Sequence, residues 1–190
     1  FEDELRPGRN GATYLDPCLH SHGPIDLVVL MLGTNDLKIR FQATPTDIGK
    51  GIDRLIKMIK SITPQKRQDG RSAKILLMAP PHLGDDLTEI PSGEEMGFER
   101  GISYSKRLAP IYEDWAKFHN IEFLDAAKYA KASEIDACHL TRESHRGAGC
   151  PGGRCLCHGC GALPGTVPES LKYKGFGLFS KMHSYIITTI

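Results

Sequence analysis

The fold of this chain is decided by the stretch 27–36, which reads Leu-Val-Val-Leu-Met-Leu-Gly-Thr-Asn-Asp. Its first six residues are continuously apolar, which is typical of a parallel strand covered on both faces. Gly33 then allows a sharp turn, and Thr34, Asn35 and Asp36 place polar groups just beyond the strand. Because ligands bind outside the carboxyl ends of strands in open α/β sheets, this turn is the first candidate site.

A helix is predicted to follow this turn. Thr44 is a good N-cap, Pro45 suits the first helical position, and Asp47 favours the positive end of the helix dipole. Apolar residues then recur at helical spacing up to Ile59, charged residues occupy the other face, and Pro64 limits the helix. The pattern is typical of an amphipathic helix that covers one face of a sheet.

Two further strands continue the alternation. Lys74–Ala79 is mostly apolar, and 121–124 is a third, short strand. Residues 99–119 have a helical pattern that Pro110 kinks or splits, whereas residues 1–24, rich in Gly, Pro, Asn and Asp, are predicted to be loop. The alternation of strands and helices predicts an α/β fold with a parallel sheet and right-handed crossovers.

Composition argues against several function classes. Of the 190 residues, 40% are apolar and 25% are charged, and the formal net charge is +1. This balance is typical of a globular domain and gives no electrostatic reason to expect a nucleic acid or an acidic membrane surface as partner. No apolar stretch approaches the ~20 residues of a membrane span. Since no export signal is visible and unpaired thiols suit a reducing compartment, we expect a cytoplasmic protein.

A second candidate site lies far downstream, at Asp136 and His139. Three residues apart, the two side chains can lie close together, and a carboxylate that accepts from one imidazole nitrogen leaves the other free as a base. Near neutral pH such a histidine can take a proton from a serine hydroxyl and later return it to a leaving alcohol. An Asp-x-x-His spacing is also common in surface pairs without a role, so the pattern alone leaves both interpretations open.

Asn35 has two interpretations as well. An asparagine at a strand end often caps a turn, but its amide can also donate a hydrogen bond to an oxyanion. The chain combines this turn with two further strand–helix units and then Asp136 with His139. This combination indicates a catalytic site more specifically than either motif alone. We expect the Asn35 amide and the His139 imidazole to converge over one pocket.

This combination resembles the SGNH (GDSL-type) hydrolases, which are esterases and lipases on a flavodoxin-like sheet. Gly33-Thr34-Asn35-Asp36 matches the third block of that family, and Asp136-Ala137-Cys138-His139 matches its fifth. The likeness covers about residues 9–149, and residues 10–19 and 26–38 look most like the arylesterase and acyltransferase branch. The resemblance implies a three-layer α/β architecture with a flavodoxin-like parallel sheet.

The resemblance also implies a role for each matching residue. His139 would be the general base, Asp136 would orient it, and Asn35 would be the oxyanion donor. The other residues of the third block would bind the substrate: Gly33, Thr34 and Asp36. The implied activity is hydrolysis of a small-molecule carboxylic ester through an acyl-serine intermediate, or transfer of the acyl group to another acceptor. That chemistry requires no metal and no organic cofactor.

The nucleophile and the first strands of the family are missing from this chain. The family's serine lies in a Gly-Asp-Ser block on the first strand, and neither this block nor the second oxyanion glycine is present. Nothing around Ser21 or Ser103 suggests an activated serine. Because the first strand is central in a flavodoxin-like order, the strand at 27–32 would have an unpaired apolar edge that invites a homo-oligomer. We expect residues 1–149 to be a partial SGNH hydrolase domain, a fragment with little activity of its own.

The character of the chain changes after residue 149. Residues 150–160 hold four cysteines and a histidine, which can bind zinc but lack the two separated ligand pairs of structural zinc sites. Residues 150–190 are predicted to be an irregular tail, from a shifted reading frame or an unspliced segment, although 185–190 has strand propensity. We assign no metal ligands. The tail and the missing serine leave a second class open, a non-catalytic binding or zinc-binding protein on a degenerate SGNH scaffold.

Overall fold

Four parallel strands form the sheet in the part of the chain that the structure describes. The structure is a computed structural model, and it describes residues 10–141, 143–144 and 185–189. The strands are β1 (Leu27–Met31), β2 (Lys74–Ala79), β3 (Glu122–Asp125) and β4 (Tyr185–Thr189). Their order in the sheet is β3-β2-β1-β4, and all neighbouring strands are parallel. The predicted α/β class with a parallel sheet is confirmed.

Five α-helices have both ends within residues 10–141. They are α1 (Gly11–Ser21), α2 (Pro45–Ile62), α3 (Ser92–Met96), α4 (Glu99–Lys106) and α5 (Leu108–His119). The start of α2 is capped as predicted. The Thr44 hydroxyl accepts from the Asp47 backbone N–H, and the Asp47 carboxylate accepts from the Thr44 backbone N–H, both at 3.2 Å. No helix in the described residues combines the length and apolar character needed to cross a membrane.

Residues 99–119 are split into two helices, as the proline in this stretch predicts. The first helix, α4, ends at Lys106, and Pro110 lies in the first turn of α5. A proline has no N–H to donate to the carbonyl four residues earlier, which here is that of Lys106. The break between α4 and α5 therefore lies at the carbonyl that Pro110 leaves without a helical hydrogen bond.

The prediction that residues 1–24 are loop is wrong for α1. The Asn10 side chain caps this helix by accepting from the backbone N–H of Ala12 at 3.0 Å. Leu15 and Leu19, four residues apart, bury the same face in the core. Pro17 lies inside the helix and hides it in the sequence, because proline disfavours helix interiors. Burial of the leucine face outweighs that preference.

Alternate residues of β1 enter two different cores. Val28 and Leu30 join the larger core, which also contains the buried faces of α1, α2 and α5. Leu27 and Val29 join a smaller core on the other face of the sheet, together with Leu124 of β3. The continuous apolar run of β1 is therefore explained by burial on both faces, as predicted.

The edge of β1 that the sequence predicts to be unpaired is occupied by β4. Tyr185 lies opposite Leu27, and Thr189 lies opposite Met31. The expectation of an open apolar edge is therefore wrong, because a segment with strand propensity pairs with it. The remainder of the predicted tail, including the cysteines of residues 150–160, lies outside the described residues.

The turn after β1 has a backbone conformation that favours glycine. Gly33 has a φ angle of +123°, which L side chains rarely adopt. The buried Tyr112 of α5 donates its hydroxyl to the Leu32 carbonyl at 2.8 Å, and a Cβ on Gly33 would collide with that hydroxyl. Tyr112 therefore holds the carboxyl end of β1, and Gly33 leaves the room that this contact needs.

Replacing Gly33 by alanine should destabilise the protein strongly. The variant combines an unfavourable φ with a steric clash, so we expect the free energy of unfolding to fall by about 2–4 kcal/mol. Gly51→Ala is the matched control, since Gly51 lies in α2 with open space around it, and it should raise stability by up to about 1 kcal/mol. Urea unfolding measures both. Equal stability of the two variants would contradict this account of the turn.

Candidate active site

Asp136 and His139 are joined by a direct hydrogen bond. Nδ1 of His139 lies 2.5 Å from Oδ2 of Asp136. The other carboxylate oxygen, Oδ1, accepts from the Ser133 hydroxyl at 2.8 Å. It also accepts from the backbone N–H groups of Cys138 and His139 at 3.1 and 3.0 Å. Among the described residues, all donors to this carboxylate therefore come from within residues 133–139.

These donors keep the Asp136 carboxyl ionised. Partial burial by itself would raise the pKa of Asp136. The hydrogen bonds from the His139 ring and backbone, the Ser133 hydroxyl and the Cys138 backbone outweigh burial, and they hold the pKa of Asp136 well below its usual range. The carboxylate is therefore charged at neutral pH, and it favours the tautomer of His139 with its proton on Nδ1.

Ser133 closes the loop that carries this pair. Its backbone N–H donates to the His139 carbonyl at 2.7 Å, and its carbonyl accepts from the Ala137 N–H at 2.8 Å. The residue is only 8% exposed. Ser133 was not recognisable from the sequence, because the hydroxyl of a serine three residues from an aspartate has many possible partners. The available signal was that spacing, which suits local capping of a carboxylate.

Two hydrogen bonds anchor the loop of residues 133–139 to the segment that follows β2. The backbone N–H of Gly84 donates to the Ala137 carbonyl at 2.8 Å. The hydroxyl of Ser92, at the start of α3, donates to the Asp136 carbonyl at 3.2 Å. The loop is therefore fixed to the carboxyl side of the sheet, which is where the alternation of strands and helices predicts a site.

The imidazole of His139 projects into solvent. Its side chain is 84% exposed, whereas that of Asp136 is 33% exposed. Nδ1 is engaged by the carboxylate, and Nε2 has no hydrogen-bond partner among the described residues. A free, oriented ring nitrogen is what a general base requires.

The Asn35 turn lines a cavity of about 470 Å³. Leu32 and Ile48 contribute apolar walls, and Asp36 and Lys38 contribute charge. The Asn35 side chain is half-buried and makes no hydrogen bond to the residues that the structure describes. Its amide is therefore available to a ligand in a cavity of the size that small-molecule sites have.

Lys38 links this cavity to helix α3. It is a buried cationic residue that lines the cavity and lies 3.0 Å from the Glu95 carboxylate on α3. Burial, with the negative charge of Asp136, raises the pKa of the Cys138 thiol to about 11. The charges of Lys38 and Glu95 also act on this thiol. Helix α3 thus contacts both sides: Glu95 pairs with Lys38, and the Ser92 hydroxyl binds the loop of residues 133–139.

The structure brings part of the predicted site together at the cavity. Gly33, Asn35 and Asp36 line it. Thr34 is not among the described residues that line it, and neither is any residue of the loop 133–139. The expected convergence of the Asn35 amide and the His139 imidazole over one pocket stays a prediction.

Within residues 10–141 and 143–144, no three His, Cys, Asp or Glu side chains lie close enough together to hold one metal ion. The cysteine-rich residues 150–160, for which the sequence leaves zinc binding open, lie outside the described residues.

Comparison with known proteins shows the family and the fold of this chain. The model of the GDSL-like Lipase/Acylhydrolase family matches residues 3–146. The aryl esterase of M. smegmatis is 33% identical with a TM-score of 0.71, over 78% of this chain and 68% of that one. Est24, a carbohydrate acetylesterase from Sinorhizobium meliloti, is 34% identical with a TM-score of 0.70, over 78% of this chain and 67% of that one. No match is found among the curated protein sequences.

The chain belongs to the GDSL-like lipase/acylhydrolase family, as its resemblance to the SGNH hydrolases predicts. It spans 66–68% of the length of four solved structures that it matches. The fold and the family are thus established, and the activity of the whole protein is a separate question.

Replacing Asp136 by asparagine should lower the free energy of unfolding at neutral pH but not at acidic pH. A carboxyl with a depressed folded-state pKa contributes stability above its unfolded pKa of about 4, and this contribution is lost as the pH falls through the folded-state pKa. At pH 7 we expect Asp136→Asn to lower the free energy of unfolding by about 1–2 kcal/mol, a modest value because the carboxyl is partly exposed. The difference should shrink below about pH 4.

Urea unfolding at several pH values measures this effect. Asp114→Asn is the control, because Asp114 is exposed on α5 and makes no hydrogen bond to the described residues. It should behave like the wild type at every pH. A stability loss for Asp136→Asn that is independent of pH would show that the ionised carboxylate is not the stabilising group.

Proposed function

We propose that this chain carries the base half of a carboxylic ester hydrolase. His139 is the general base, Asp136 orients it, and Asn35 donates a hydrogen bond to the oxyanion. The observation that carries the proposal is the 2.5 Å contact between Nδ1 of His139 and Asp136. It leaves Nε2 without a hydrogen-bond partner among the described residues, on a side chain that is 84% exposed. The half-buried Asn35 amide, at a cavity beyond the carboxyl end of β1, supports the third role.

The reaction follows from these groups and a serine that is supplied by polypeptide outside residues 1–190. Nε2 of His139 takes the proton of the serine hydroxyl as the oxygen attacks the ester carbonyl. The Asn35 amide stabilises the negative oxygen of the tetrahedral intermediate. His139 then returns the proton to the leaving alcohol, and water, or another alcohol in a transfer reaction, releases the acyl group. Asp136 stabilises the imidazolium in both steps.

The substrate class that we propose is a small ester with a short acyl group. One related structure is an aryl esterase and another is a carbohydrate acetylesterase, so phenyl acetates and acetylated sugars are the first candidates. The volume of about 470 Å³ beside Asn35 suits a ligand of this size.

The test uses a version of the protein that is extended upstream of Phe1 by a segment with the Gly-Asp-Ser block of the family. We expect it to hydrolyse p-nitrophenyl acetate. His139→Ala should lower kcat by at least about a thousandfold. Asn35→Ala should lower kcat about a hundredfold or more while changing KM little, because the oxyanion forms only in the transition state.

His20→Ala is the control for the histidine variant, since the ring of His20 lies on α1 and reaches Asp16 only at 3.9 Å. It should keep the full activity. An extended protein that turns over equally well with and without His139 would refute the assignment of the base. A large change in KM with an unchanged kcat for Asn35→Ala would refute the oxyanion role.

A further inference from the structure

The Asp136 and His139 pair is assembled by its own loop. Within the part of the chain that the structure describes, each hydrogen bond to the Asp136 carboxylate comes from Ser133, Cys138 or His139. The Ser133 backbone closes the same loop on the carbonyl of His139 at 2.7 Å. No group from the Asn35 turn takes part in these bonds. The geometry of the base is therefore complete in this chain, whether or not a serine stands beside it.

A second histidine–aspartate pair in the protein shows how unusual the exposure of His139 is. Nε2 of His119 lies 2.7 Å from Asp53, but these side chains are only 9% and 14% exposed. The ring of His119 is also stacked against Trp115. That pair joins α5 to α2 and cannot reach a solute. His139, with an 84% exposed side chain, can be reached from solvent without passing through any cavity.

We propose that His139 is itself a nucleophile, and that this chain hydrolyses activated aryl esters at Nε2 without any serine. An activated ester is one whose leaving group is a stable phenolate, such as p-nitrophenolate. Histidine can form covalent acyl intermediates. A carboxylate on the opposite ring nitrogen makes Nε2 a better electron donor and stabilises the positive charge that develops on the ring.

The reaction balances with water as the only co-reactant. The lone pair of Nε2 attacks the ester carbonyl carbon, and the bond from that carbon to the aryl oxygen breaks, so the phenolate leaves with the electron pair. The acylated ring carries a positive charge beside the Asp136 carboxylate and loses its Nδ1 proton to solvent. Water then adds to the acyl carbon and the carbon–nitrogen bond breaks. This releases a carboxylic acid and restores the neutral imidazole.

This inference shares with the proposed function the pairing of His139 with Asp136, but it needs neither the serine nor the Asn35 amide. The two activities can therefore fail separately. An extended protein that shows no serine-dependent turnover leaves the histidine reaction intact. Absence of the histidine reaction, in turn, leaves a serine-dependent enzyme possible.

The experiment measures the steady-state release of p-nitrophenolate from p-nitrophenyl acetate by the 190-residue chain. The amount of p-nitrophenolate released must exceed the number of reactive amines in the protein. A lysine is acylated only once, so release beyond that amount reports turnover. The chain has eight histidines. If all eight contributed equally to the protein-dependent rate, loss of any one of them would lower that rate by one eighth. We expect His139→Ala to lower the protein-dependent rate to less than about half, and Asp136→Asn to lower the part that depends on His139 about tenfold.

Two controls separate this reaction from others. His20→Ala removes an exposed histidine without a hydrogen-bonded carboxylate and should cost little. A serine-directed fluorophosphonate should leave the rate of the 190-residue chain unchanged. Mass spectrometry of acid-quenched protein should find the acetyl group on His139, and circular dichroism checks that each variant is folded.

Either of two results would overturn the proposal. The first is a loss for His139→Ala that is no larger than the loss for His20→Ala. The second is complete inhibition of the chain by the fluorophosphonate, which would place the nucleophile on a serine.

Discussion

The carboxylate of Asp136 is the constraint on which the candidate site depends. One oxygen takes three hydrogen bonds and the other binds the ring of His139, so the carboxylate has little freedom to turn. Because these donors stabilise its negative charge, Asp136 stays ionised and can hold the Nδ1 proton of the neutral imidazole. The second ring nitrogen of His139, Nε2, is thus directed outward by a loop of seven residues, and the rest of the fold positions that loop.

The other half of the site is positioned by the end of β1. Tyr112 fixes the Leu32 carbonyl, and the turn at Gly33 then brings the Asn35 amide to the cavity. Lys38, which follows this turn, is buried against Glu95 of α3. The same helix α3 begins at Ser92, whose hydroxyl binds the Asp136 carbonyl. The two halves are therefore connected through one short helix, although about a hundred residues separate them in sequence.

The sequence predicted those parts of the molecule in which local pattern and burial agree. The continuous apolar run of β1, the cap at Thr44 and the split near Pro110 all appear in the structure where local chemistry places them. The helix at residues 11–21 was not predictable from composition, because Pro17 opposes it and only the buried leucine face supports it. The pairing of β4 with β1 depends on a contact between distant segments, which local pattern does not encode.

The candidate site shows the same division. Asp136 and His139 were recognisable from their spacing, whereas Ser133 was not, since its role depends on how the loop closes. Lys38 was also missed, because burial of a lysine beside a cavity follows from tertiary packing and leaves no mark on the sequence.

The most direct test of the central claim is a nitrogen-15 NMR measurement of the His139 ring in the folded 190-residue chain. When the ring is neutral, the account predicts that Nδ1 carries the proton and Nε2 does not, and that Asp136→Asn shifts the proton toward Nε2. A wild-type ring with its proton mainly on Nε2, or one that Asp136→Asn leaves unchanged, would contradict the claim that this carboxylate prepares the base.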